Sequence, residues 1–224
     1  MTVPLEPEKI YHIYNHANGD DNLFYSDDNY FYFLKRYSEI LLPILDTYAY
    51  CLMPNHFHWL VKIKSEKEIF DFLKLNNRIP EETLRFEEYK NLSSTIAGLI
   101  ENIFSLQISK QFSNFFSSYS QALNKQRNRK GNLFIQTFKR KEIDTDEQLK
   151  DTLLYIHCNP THHGIVAHFE QWKFSSYSAY LTEKPSAVKR EEPLKLFESK
   201  ENFIFCHQEK IEKIKNKTLD EIFN

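Results

Sequence analysis

Glycine is scarce in this chain: four residues in 224, at Gly19, Gly98, Gly131 and Gly164, no two of them close together. A P-loop or a dinucleotide-binding turn needs clustered glycines, because backbone amides must approach the phosphates closely. Both are excluded, and a nucleotide cofactor is not expected. Cysteine is scarce too. Cys51, Cys158 and Cys206 are an odd number without CxxC spacing, which argues against a disulfide framework or a structural zinc site and fits a reducing cytoplasm. No apolar run approaches a membrane span, and the opening MTVPLEPEKI lacks the apolar core of a signal peptide. The expectation is a cytoplasmic protein with no membrane partner. What remains is an ordinary globular balance, 41% hydrophobic and 27% charged, at a length that suits one domain with elaborations.

The net charge of −2 hides an uneven distribution. Residues 102–141 contain no carboxylate but hold eight cations: Lys110, Lys125, Arg127, Arg129, Lys130, Lys139, Arg140 and Lys141. Asn, Gln, Ser, Tyr and Phe fill the gaps. Such a stretch can neutralise a phosphate backbone while aromatic rings accept unstacked bases. The bland reading is a solvated helix face whose acids lie elsewhere in the fold.

Periodicity supplies the organisation. Residues 9–16 alternate apolar and polar, as a strand does. Ser26-Asp27-Asp28 opens a helix through about Leu42, stopped by Pro43. Two strands, 44–53 and 57–63, flank the tight Pro54-Asn55 corner. Residues 65–98 read as an inserted helical excursion and 99–126 as a long helix, followed by a turn at 128–132 and a short extended piece, LFIQTF. Thr145 opens a helix over 146–158, expected to close before Pro160 because the residue before proline disfavours helix. A further helix is expected around 208–222. This order points to an antiparallel α+β fold.

Two short segments carry chemistry. His56-Phe57-His58 begins the third strand, so both imidazoles share one sheet face, about 7 Å apart, and can converge on one divalent ion. Alone, the pattern also fits a polar strand end. Tyr155 and Asn159 lie four residues apart on one helix face. A phenol nucleophile beside an amide metal ligand is a sensible pair if that face meets the histidine strand. With thirteen tyrosines in the chain, a core or surface role outweighs a nucleophile's for any one of them, Tyr155 included. His162 and His163 read as turn residues.

The runs AYCLMPNHFHWLVKI and YIHCNPTHHGIV, with YHIYNHANGDDNLFYSDDNYFYFL before them and QWKFSSYSAYL after, resemble the IS200-like single-tyrosine transposases, in particular their REP-associated branch. The resemblance spans roughly residues 8–63 and 100–182. It implies a ferredoxin-like antiparallel sheet with helices packed on one face, here with a helical insertion and a C-terminal helical tail. The transposase-like domain would be residues 1–182, with 65–98 inserted, and the extension residues 183–224. His56, Phe57 and His58 match the family's HUH motif. Tyr155 matches its nucleophile, and Asn159 its third metal ligand.

The implied activity is a metal-dependent endonuclease and strand transferase. His56, His58 and Asn159 would hold Mg²⁺ or Mn²⁺, and Tyr155 would attack single-stranded or hairpin-flanked DNA to leave a 5′-phosphotyrosine. The ester keeps the bond energy, so no ATP is needed. A catalytically silent, domesticated binder of structured single-stranded DNA is the alternative. Compact relatives work as dimers, and the resemblance leaves a homodimer or a monomer open. Two departures stand out: residues 65–98 lack a clear counterpart in compact members, and the chain is mildly acidic.

Overall fold

The computed structural model describes residues 3–76 and 94–223, with side chains over 3–76 and 104–214. Strand β1 (Ile10–His16) leads to α1 (Asp27–Ile40), then β2 (Leu45–Met53) and β3 (His56–Ile63). Next come α2 (Glu66–Leu75), α3 (Ser94–Arg127), β4 (Lys139–Ile143) and α4 (Asp146–His162). Two short helices, α5 (Tyr177–Tyr180) and α6 (Glu191–Leu194), precede α7 (Lys200–Phe223). The four strands form one sheet in the order β2-β3-β1-β4, every neighbouring pair antiparallel. With one helix after β1 and another before β4, this is the expected α+β, ferredoxin-like arrangement. Among the described residues no helix is long and apolar enough to cross a membrane.

Alternation along the strands sends side chains to two separate cores. Tyr11, Ile13, Phe57 and Trp59 pack beneath α1 and α3 with Phe33, Tyr37, Phe115 and Tyr119. Tyr119 also donates to the Leu23 carbonyl at 2.5 Å, tying α3 to the loop before α1. The opposite face is covered as well: Ala49, Cys51, Met53 and Leu60 meet Leu153 and Ile156 of α4, with Phe203 of α7 behind them. Covered on both faces, the central strand β3 reads as a nearly continuous apolar run. Part of the expected excursion at 65–98 is α2, opened by a Ser65/Glu68 capping box and anchored by Ile69, Phe70 and Leu73. The segment 77–93 lies outside the described residues.

Three local expectations differ from the structure. LFIQTF contributes a single bridge, Phe134 to Ala17, and the fourth strand instead forms at Lys139–Ile143. That strand is highly charged because it is a sheet edge, where lysines discourage pairing with another chain. Ser26 occupies the N-cap of α1 without a side-chain cap bond, leaving Asp27 and Asp28 to complement the helix dipole. Helix α4 does not stop before Pro160 but runs on to His162. Proline there removes only one intrahelical N–H bond near the end of the helix. The true stop is Gly164, at φ +67°. Ile165 N–H donates to the Pro160 carbonyl at 2.9 Å and Gly164 N–H to that of Thr161 at 3.0 Å, a Schellman ending.

Candidate active site

The β1–β3 ladder pairs Tyr14 with His58 and His16 with His56. Alternation places His12, Tyr14 and His16 of β1 on the face that carries His56 and His58. Four imidazoles therefore meet between two strands. The His16 and His56 rings stack at 5.5 Å, and the His56 and His58 rings meet edge-on at 5.2 Å. Each ring is fixed by its second nitrogen. His56 Nδ1 donates to Asn55 Oδ1 at 2.7 Å, which leaves Nε2 with a lone pair to present. His58 Nδ1 and His12 Nε2 share a hydrogen bond of 2.9 Å. His16 Nδ1 donates to the Ala17 carbonyl at 2.8 Å. Partners of this kind set tautomer and ring orientation in metal-ligating histidines.

Helix α4 crosses the same face. Thr145 caps it through a bond from Gln148 N–H, and Leu149, Leu153 and Ile156 bury its apolar stripe. That rotation sets the Tyr155 ring edge-on to His58 at 5.5 Å and to His12 at 6.0 Å. One turn on, Asn159 is fully buried. Its Nδ2 donates to the Tyr155 carbonyl at 3.0 Å, and its Oδ1 is buried with no hydrogen-bond partner among the described residues. An orphaned buried amide oxygen costs about 1–3 kcal/mol, so its persistence beside His56 needs a reason. The Schellman ending brings His163 against His56, ring centroids 4.9 Å apart.

Burial keeps the His12, His56 and His58 rings neutral. Burial, then the neighbouring His12 and His56, pushes His58 down to about 2. Burial, with His163 and His16, takes His56 to about 4 against an opposing pull from the Asn159 side chain. Burial and the Lys141 ammonium take His12 to about 4. Neutral imidazoles offer lone pairs, the form a metal requires. Among the described residues no group of three His, Cys, Asp or Glu side chains is arranged to hold a metal ion. Mixed donors lie close together instead: two imidazoles from β3 and, beside His56, the buried Asn159 Oδ1.

The site opens into a cleft of about 910 Å³ whose lining includes Tyr14, His16, His56, His58, Tyr155 and Lys139. Among the described residues no carboxylate lines it. The eight cations of the acid-free stretch do not form one stripe. Lys139 and Lys141 sit on the imidazole face of β4, opposite Tyr14 and His12. Arg140 points away, bonding the Val3 carbonyl and lying over the Phe138 ring. Lys110, Lys125 and Arg127 project from α3, Arg127 lying 4.2 Å over the Tyr25 ring, and Lys130 is exposed in the turn that follows. Arg129 is bound to Asp21, to Asn124 Oδ1 and to the Asn132 carbonyl.

Sequence reasoning missed His12, Tyr14, His16, Asn55 and His163 as neighbours of the site. The alternation of KIYHIYNH was the available signal for the first three; their strand partner was not. The thiols nearby are subdued: burial raises Cys51 well above its ordinary value and Cys158 to about 12.

No protein-family model matches this chain, and no curated protein matches it. Among solved structures it is similar to a REP-associated tyrosine transposase bound to a REP hairpin, at 15% identity and a TM-score of 0.49, over 83% of this chain and 87% of that one. At that distance, the chemistry must be argued from the residues themselves.

Proposed function

We propose that this protein is a metal-dependent single-stranded DNA endonuclease and strand transferase that cuts hairpin-flanked sites with Tyr155 as nucleophile. The observation that carries the reading is the buried Asn159 Oδ1, which meets hydrogen-bond geometry with no group among the described residues yet lies close enough to His56 to favour its charged form, one helical turn from a tyrosine whose ring abuts His58. A divalent ion, Mg²⁺ or Mn²⁺, fits His56, His58 and Asn159, and when bound would supply the positive charge that polarises a scissile phosphate. Asn55 and His12 hold the two imidazoles at fixed orientation. The Tyr155 oxygen forms a bond to phosphorus as the bond to the 3′-oxygen breaks. The phenolic proton passes to solvent, and the departing 3′-oxygen takes one up, giving a 5′-phosphotyrosine and a free 3′-hydroxyl. Attack by another 3′-hydroxyl reverses these steps and joins a new strand. Lys139 in the cleft wall suits a phosphate contact, and a described lining without carboxylates suits a polyanion.

The test is a denaturing gel for covalent protein–DNA adducts on a library of hairpin-flanked oligonucleotides, with and without Mn²⁺. An adduct that requires Mn²⁺ supports the reading. Tight hairpin binding with no adduct under any metal would make the protein a silent binder instead.

A further inference from the structure

Tyr155 has open space on two sides. Besides the large cleft, a second hollow of about 460 Å³ is lined by His12, Lys141, Asp151, Thr152 and Lys210. Tyr14, His58 and Tyr155 line both. These three side chains therefore form a saddle, with a depression on either side of the candidate nucleophile. Lys139 lies on one slope and Lys141 on the other, two residues apart on one face of β4 and about 7 Å from each other along the strand.

The second hollow has its own charge pattern. Asp151, the one carboxylate among its described lining residues, is paired with Lys210 of α7 at 3.4 Å. Lys141 is exposed and, among the described residues, has no ion-pair partner. The hollow thus carries one surplus cation, with a second available from α7.

We infer that the substrate strand crosses this saddle, one flank of the scissile phosphate lying in the large cleft against Lys139 and the other in the second hollow against Lys141 and Lys210. The inference rests on the proposed cleavage by Tyr155. A phosphodiester attacked there has chain on both sides, and the two hollows offer a place on each side of the phenol. The ligand of the second hollow is a nucleic-acid phosphate, and α7, the C-terminal helix, becomes part of the binding surface.

The probe is a fluorescein-labelled 20-mer of oligothymidylate, with affinity measured by anisotropy at several salt concentrations. Each neutralised phosphate adds about 0.7 to the salt slope for single strands. Lys139→Gln, Lys141→Gln and Lys210→Gln should each flatten the slope by about 0.7, while Lys184→Gln, at a residue that lines neither hollow, leaves it unchanged. Asp151→Asn frees Lys210 and should tighten binding. Lines for Lys141→Gln and Lys210→Gln parallel to wild type, with Lys139→Gln flattened, confine the strand to the large cleft and overturn the inference. So does wild-type protein that fails to bind the 20-mer. Binding needs no cleavage, so the two readings separate: flattened slopes without any covalent adduct keep the saddle and remove the nuclease, whereas an adduct with parallel lines does the reverse.

Discussion

His12 holds His58 through a 2.9 Å hydrogen bond between the Nε2 of one ring and the Nδ1 of the other, across the β1–β3 ladder. A ring that both orients a candidate ligand and faces the candidate nucleophile is a sensitive point for substitution. Partners of metal-bound imidazoles typically contribute about 10–100-fold to metal affinity. His12→Phe should weaken Mn²⁺ binding by that order, read by electron paramagnetic resonance titration, and His12→Gln, which keeps a hydrogen-bonding group, should recover part of it. Unchanged Mn²⁺ affinity in the Phe variant would remove His58 from the ligand set.

Tyr155→Phe should abolish the covalent adduct and leave hairpin affinity within a few-fold. The change removes one hydroxyl and keeps the ring against His58. A Phe variant that still forms the adduct would move the nucleophile elsewhere, and the hydroxyl of Tyr14, which lines the same cleft, would be tried next.

Acid should destabilise the fold through its buried histidines. His157 Nδ1 meets His207 Nε2 at 2.9 Å between α4 and α7, and His157 Nε2 meets Ser176 Oγ at 2.8 Å. Burial pushes His207 down to about 4 and His157 well below its usual range. The unfolded chain therefore binds protons that the folded one refuses. Stability is fully present above about pH 6.5 and falls as pH drops toward 4, by about 3 kcal/mol for His207 alone. His12, His56 and His58 act with the same sign. Urea melts at pH 7, 6 and 5 measure this, and equal midpoints would contradict it.

Arg129→Ala should weaken the fold more than it weakens DNA binding. The guanidinium is already committed to Asp21, Asn124 and the Asn132 carbonyl, and only 18% of the side chain is exposed. Hydrogen bonds to a charged group contribute about 1.5–3 kcal/mol. A drop of that order in the urea-derived stability, with an unchanged salt slope on oligothymidylate, is the expected pair of results. A flattened slope with unchanged stability would return Arg129 to the DNA track.

Alternation and turn chemistry made most of the sheet legible. KIYHIYNH, ILDTYAYCLM and FHWLVKI read as strands, and Pro54-Asn55 as the corner between two of them. Strand β4 was hidden because KRKEI carries four charges and buries only Ile143; an edge strand has little apolar pattern to read. Pro160 does not end α4, since near the helix end it removes only one intrahelical bond; the stop is Gly164, whose left-handed conformation no local rule about proline reveals. At the site, the shared face of His56 and His58 and the stacking of Tyr155 above Asn159 follow from periods of two and 3.6 residues. That α4 lies over the imidazole face, and that β1 adds His12 and His16 beside β3, depends on long-range pairing that no local window contains.

The site is assembled from three segments that leave the ribosome far apart in time. His12 and His16 emerge first, then His56 and His58, and Tyr155 follows roughly 100 residues later. At about 5–20 residues per second, the two candidate ligands precede the proposed nucleophile by something like 5–20 s. A nascent chain, or a product truncated before α4, carries the imidazoles with no phenol to place against them. Its proposed cutting activity is therefore deferred until translation has passed residue 155, so aborted synthesis yields fragments that cannot nick DNA by this route.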